Sequence, residues 1–123
     1  MKRIFPALLA AGVLLSPAIA QARVVSAHGV SLVSCVVNQG GNGLTNGINV
    51  VYYNTRRAPI GEVDFLVRYH GSRAVLVDRG TFTHGAQINH DLSNALVSYV
   101  WYGPNPNLCT VQRIVLENGQ VIQ

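Results

Sequence analysis

Between Ala58 and His70, polar and apolar positions alternate almost without interruption. Val63, Phe65, Val67 and Tyr69 fall on one side, Glu62, Asp64, Arg68 and His70 on the other, and only Leu66 departs from the pattern. Side chains of a strand point to opposite faces with period two, so this stretch predicts a strand with one face in a core and the other in water. Thr55-Arg56-Arg57-Ala58-Pro59 leads into it, and Pro59, which cannot donate to a ladder, closes the element before.

The same pattern recurs along the chain. Val30 to Asn38 predicts a strand with Val33, Cys35 and Val37 on its apolar side, and Val24-Val25 could pair as a short edge strand before it. Ile48 to Asn54 is apolar on both faces, which places it centrally in a sheet. His70-Gly71-Ser72 is short enough for a hairpin turn, after which Ala74 to Asp78 returns antiparallel with Val75 and Val77 on one face. Arg79-Gly80 breaks that strand, and Thr81 to Thr83 is a brief further one. Ala86 to His90 crosses over, and Asp91 to Asn94 is a polar connection with room for one helical turn capped by Asp91. Ala95 to Tyr102 is the most aromatic strand, ended by Pro104 and Pro106. Thr110 to Glu117 follows, and Asn118-Gly119 is a strong hairpin signal returning through Val121-Ile122.

Seven or eight short strands without a sustained 3.6-residue period predict an all-β fold: an antiparallel two-sheet sandwich, immunoglobulin-like, braced by one disulfide. A small closed β-barrel is the alternative.

The first residues stand apart from this pattern. Lys2 and Arg3 precede an apolar run from Pro6 to Leu15, and Ala18-Ile19-Ala20 has the form of a cleavage site, which together predict a secretory signal peptide over 1–20, or 1–22 if cleavage follows Ala22. The run ends at Ser16-Pro17, short of the roughly 20 residues that a spanning helix needs, so no membrane anchor is expected after cleavage. Residues 23–123 then form a single domain. Leu32-Val33-Ser34-Cys35 has the letters of a lipoprotein box, but Gln21, Arg23, Ser26, His28 and Gly29 separate it from the apolar run, and lipidation is not expected.

Removing the leader changes the charge. The full chain carries nine Lys+Arg against five Asp+Glu, and the loss of Lys2 and Arg3 leaves seven arginines against the same five acids. They are spread along the chain rather than gathered in the basic stripe with interleaved aromatics that nucleic acid would need, so no nucleic-acid partner is expected.

Cys35 and Cys109 are the only cysteines, and in an exported chain they are expected to pair. The bridge would close a loop of about 75 residues and contribute on the order of 4 kcal/mol, a large share for a small domain.

Candidate chemistry is sparse. His70, His84 and His90 fall near strand ends or turns and, if gathered, could ligate Cu(II) or Zn(II) with Asp91 or Asp78 as a further ligand. No H-x-H or H-E-x-x-H spacing supports them, and no methionine follows Met1 to serve as a soft axial ligand. Ser72 and Ser93 lie beside histidines without a nucleophile elbow. Glu62 and Asp64 share a face about 7 Å apart by strand geometry, and are expected to form an exposed polar face with Arg68 rather than an acid–base pair. No catalytic residues and no cofactor are therefore assigned. Arg56, Arg57, Trp101 and Tyr102 are the candidate binding residues, being of the types that dominate binding hot spots.

The succession Tyr53-Asn54-Thr55, Glu62-Val63-Asp64-Phe65, Asp78-Arg79-Gly80-Thr81-Phe82, Gly85, Ile88, His90, Tyr102-Gly103-Pro104, Cys109-Thr110-Val111 and Asn118-Gly119 resembles a group of short exported bacterial proteins of unknown function. The resemblance implies an immunoglobulin-like sandwich in the periplasm or outside the cell and transfers no functional residue. The resulting expectation is an exported, non-enzymatic binding or accessory module whose partner is an unknown protein or envelope component. A small periplasmic metal-binding protein using the turn histidines is the alternative, and an inhibitor of a periplasmic or secreted hydrolase is the third.

Overall fold

A computed structural model describes residues 22–39, 45–69, 72–92 and 105–123. Eight strands account for most of them: β1 (Arg23–Val25), β2 (Val30–Gln39), β3 (Thr45–Asn54), β4 (Ile60–Tyr69), β5 (Ser72–Phe82), β6 (Gln87–Leu92), β7 (Leu108–Leu116) and β8 (Val121–Ile122). They form two separate sheets, one ordered β1-β7-β4-β5 with β8 also on β7, the other β2-β3-β6. The architecture is a two-layer sandwich and not a closed barrel. All pairings are antiparallel except β1 on β7, where Val24 lies opposite Cys109 in parallel register.

Ile48, Val50 and Tyr52 of β3 face Val63, Phe65 and Val67 of β4, and all six are fully buried. Their burial follows the period-two alternation of both segments. Edge-on ring contacts from Tyr52 to Phe65 and to Phe82, with centroids 5.2 and 5.8 Å apart, knit the layers further. Cys35 of β2 and Cys109 of β7 cross the sandwich as a buried disulfide, their Cα atoms 6.5 Å apart. A bridge from an early strand to a late one across the layers is shared with antibody-type domains. The chain path is its own, since β2 and β3 form a hairpin within one sheet.

Three local expectations change. Val33 is 52% exposed, because the β2–β3 register shifts between Leu32 and Ser34 and the inserted residue turns Leu32 inward in its place. Arg79-Gly80 does not break β5: one extra residue is taken up where the register passes from Glu62↔Arg79 to Ile60↔Phe82, and the strand runs on to Phe82. Asp91 caps no helical turn. It lies in β6 opposite Asn49, whose Nδ2 donates to Asp91 Oδ1 at 2.9 Å, so the predicted crossover is a strand as far as Leu92. The aromatic strand expected over Ala95 to Tyr102 lies outside the described residues.

Candidate functional site

Alternation on β5 places Ala74, Leu76 and Asp78 inward and Val75 and Val77 outward. A carboxylate thus enters the core face of a strand whose valines face solvent. On β6 the inward positions are Ile88, His90 and Leu92. These two strands are neighbours across the sandwich gap, one in each sheet, and their inward polar residues meet.

Asp78 is only 4% exposed. Burial of a carboxylate is tolerated when its oxygens accept strong hydrogen bonds, and both are occupied. The Tyr52 hydroxyl donates to Oδ2 at 2.7 Å from the opposite sheet, and His90 Nδ1 lies 2.8 Å from Oδ2 and 3.0 Å from Oδ1. Burial first, then the hydrogen bond to Asp78 and its negative charge, push the Tyr52 phenol far above its usual range, so it remains a proton donor. The His90 side chain is 48% exposed, and its ring stands 6.1 Å from that of Phe82. With Nδ1 turned to the carboxylate, ring geometry directs Nε2 away from it.

An open groove of about 540 Å³ runs beside this ring, lined by Gly80, Phe82, Ala86, Gln87, Ile88 and His90 among others. Phe82 and Ile88 are nearly buried and give it an apolar floor, while His90 stands on its exposed rim. Gly80 is required by close approach: a Cβ there would lie 2.8 Å from the Phe82 ring. The arrangement presents one oriented imidazole nitrogen over apolar surface, suited to hydrogen bonding a bound group or to acting as a general base.

The other proposed residues are dispersed. His84 Nδ1 lies 2.8 Å from the Arg56 carbonyl, so His84 and His90 are held by different partners, and His70 lies outside the described residues. Among the described residues, no group of three or more His, Cys, Asp or Glu side chains is placed to hold a metal ion. Arg56 is partly buried, and its guanidinium donates to the His28 carbonyl at 3.3 Å, bracing the β3–β4 connection, while Arg57 is exposed. Trp101 and Tyr102 lie outside the described residues.

Glu62 and Asp64 do share the outer face of β4, but their partners are not the expected Arg68. Arg79 Nε meets Glu62 Oε1 at 2.9 Å, and Arg113 Nη1 meets Asp64 Oδ2 at 3.3 Å and Glu62 Oε2 at 3.9 Å. Asp64 is also buried rather than exposed, and its Oδ1 has no hydrogen-bond partner. Burial, followed by the neighbouring Glu62, pushes the Asp64 carboxyl up to about 6. A hydrogen bond from Asp64, aided by Arg79 and Arg113, holds Glu62 below its ordinary value despite some desolvation. Below about pH 6 the pair therefore retains one proton, with Asp64 as its holder, and at neutral pH both carboxylates are largely ionised beside Arg79 and Arg113.

The sequence groups Asp78 and His90 only as possible co-ligands of a metal ion, not as the hydrogen-bonded pair that the fold makes of them. The signal was there, as polar residues in the inward register of Leu76–Asp78 and Ile88–His90–Leu92. No protein-family model, curated protein or solved structure matches the chain.

Proposed function

We propose that the chain is an exported, non-enzymatic binding or accessory module of the periplasm or extracellular space, and that the groove between β5 and β6 is its recognition surface. The observation that carries this reading is the fixing of His90 at the groove rim by the buried Asp78 carboxylate, 2.8 Å from its Nδ1. A polar group whose orientation is set in advance loses little freedom on binding, and the apolar floor of Phe82 and Ile88 supplies area beside it. The buried disulfide suits an oxidising compartment, and the signal-like leader and the resemblance to short exported bacterial proteins agree with it.

Capture from periplasmic extract on immobilised protein tests this. A partner held by the native protein and released by Ile88→Glu, with the disulfide intact, supports the groove. Equal capture by native and variant proteins overturns it. Titration with Cu(II) and Zn(II) addresses the metal-binding alternative through His70, His84 and His90: a rise in melting temperature at stoichiometric metal favours that alternative, and an unchanged melting curve removes it.

A further inference from the structure

We propose that the outer face of the larger sheet docks peripherally on an anionic lipid surface, with Arg68 and Arg73 as its headgroup contacts. Outward positions of β4 and β5 stand in rows: Glu62 opposite Arg79, Asp64 opposite Val77, Leu66 opposite Val75, and Arg68 opposite Arg73. At the first two rows charge is balanced, because Arg79 pairs with Glu62, and Arg113 of β7 reaches Asp64. At the last row it is not. Arg68 and Arg73 are both exposed and directly opposite, and among the described residues neither has an ion-pair partner.

Directly opposed like charges on neighbouring strands cost stability. Cβ atoms of such a pair are ~5 Å apart, close enough for two guanidinium groups to grip one phosphate or adjacent ones. The next row supplies aliphatic surface: Val75 is 40% exposed, Val77 beyond it 36%, and Leu66 lies partly exposed between the strands. Anion-binding groups beside aliphatic ones on an open sheet face complement a phospholipid headgroup and the top of its acyl region. The long arginine side chains can reach phosphates while their stems lie along apolar surface. This surface is separate from the β5–β6 groove and depends on the proposed function only for the compartment.

Sedimentation of the purified leaderless protein with vesicles tests it independently of any captured partner. Binding to phosphatidylcholine vesicles containing phosphatidylglycerol is expected to exceed binding to phosphatidylcholine alone and to weaken with salt. Arg68→Ala/Arg73→Ala should lower affinity roughly 25-fold, taking each arginine at an anionic surface at its usual worth. Arg56→Ala/Arg57→Ala, which removes the same charge elsewhere, should leave binding within about twofold. Far-ultraviolet dichroism and an intact disulfide verify folding, and Arg68→Lys/Arg73→Lys provides a second, charge-preserving variant that should retain most of the binding. No preference for phosphatidylglycerol, or equal losses for the two alanine pairs, overturns the proposal. So does release of the protein from vesicles by millimolar inorganic phosphate at constant ionic strength, which would mark a small-anion site instead.

Discussion

The carboxylate of Asp78 and the imidazole of His90 meet 2.8 Å apart across the gap between the sheets, each from a strand whose other inward side chains are apolar. Tyr52 completes the contact from the middle of the smaller sheet. The three residues form a polar clamp between layers that are also held by apolar packing, one disulfide and the buried hydrogen bond that Asn54 Nδ2 donates to the Phe82 carbonyl at 2.8 Å.

Removing the acceptor should therefore cost more than removing either donor. Asp78→Ala leaves the Tyr52 hydroxyl buried without a partner and should destabilise the fold by about 2–4 kcal/mol, against about 1–2 kcal/mol for Tyr52→Phe. The double variant should lose less than the sum, since the orphaned hydroxyl is gone. Urea denaturation at neutral pH measures all three, and an unchanged midpoint for Asp78→Ala would show that the clamp contributes nothing.

Cys35 and Cys109 are 74 residues apart in sequence and both buried, so their bond constrains a long stretch of the unfolded chain. On the chain-entropy model, Cys35→Ala/Cys109→Ala should lower stability by ~4 kcal/mol. The native product should show no thiol reactive toward an alkylating agent in denaturant until a reductant is added. Two reactive thiols in the unreduced protein would contradict the bridge.

Sandwich class, the disulfide, the central place of β3 and the Asn118-Gly119 hairpin were all legible, because each rests on a local rule of alternation, cysteine use or turn chemistry. What escaped was non-local. Val33 faces solvent because an extra residue in β2 shifts the pleat, and nothing in Leu32-Val33-Ser34 announces it. On β5, two valines face outward and an aspartate inward, an inversion that hydrophobicity alone reads backwards. It makes sense only once Tyr52 and His90, 26 and 12 residues away, are seen to supply hydrogen bonds. Arg113, which binds Asp64, likewise lies 49 residues from it, so Arg68 stood as the nearer but incorrect partner.

Gly80 carries a sharper prediction. A Cβ there would stand 2.8 Å from Phe82 Cε1 and 3.0 Å from Cζ, and the ring it would displace packs on Tyr52 and floors the groove. Gly80→Ala should destabilise by about 1–3 kcal/mol, as overpacking does. Combining it with Phe82→Leu should cost less than the two changes added together, because the smaller side chain leaves room for the methyl group. Strict additivity in thermal or urea melts would mean that the two positions do not touch.

Asp64 sets the pH response. Its folded value of about 6 lies above the ordinary 3.8, so between those limits the native state holds a proton that the unfolded chain has lost, and stability falls as pH rises through this window. Glu62 acts oppositely: its folded value lies below 4.5, and the stability it contributes is present above that pH and lost on acidification through the folded value. Above pH 4.5 the decline due to Asp64 is therefore unopposed by Glu62. Asp64→Asn should remove the decline between about pH 4.5 and 6.5 and leave the variant more stable than the native protein at pH 7, by on the order of 1–2 kcal/mol after allowing for the lost contact with Arg113. Glu62→Gln should instead move the decline to lower pH, since Asp64 loses the negative neighbour that helps raise it. Urea midpoints at pH 4.5, 5.5 and 7 separate these outcomes, and parallel profiles for native protein and Asp64→Asn would show that Asp64 ionises in the fold as it does in the unfolded chain.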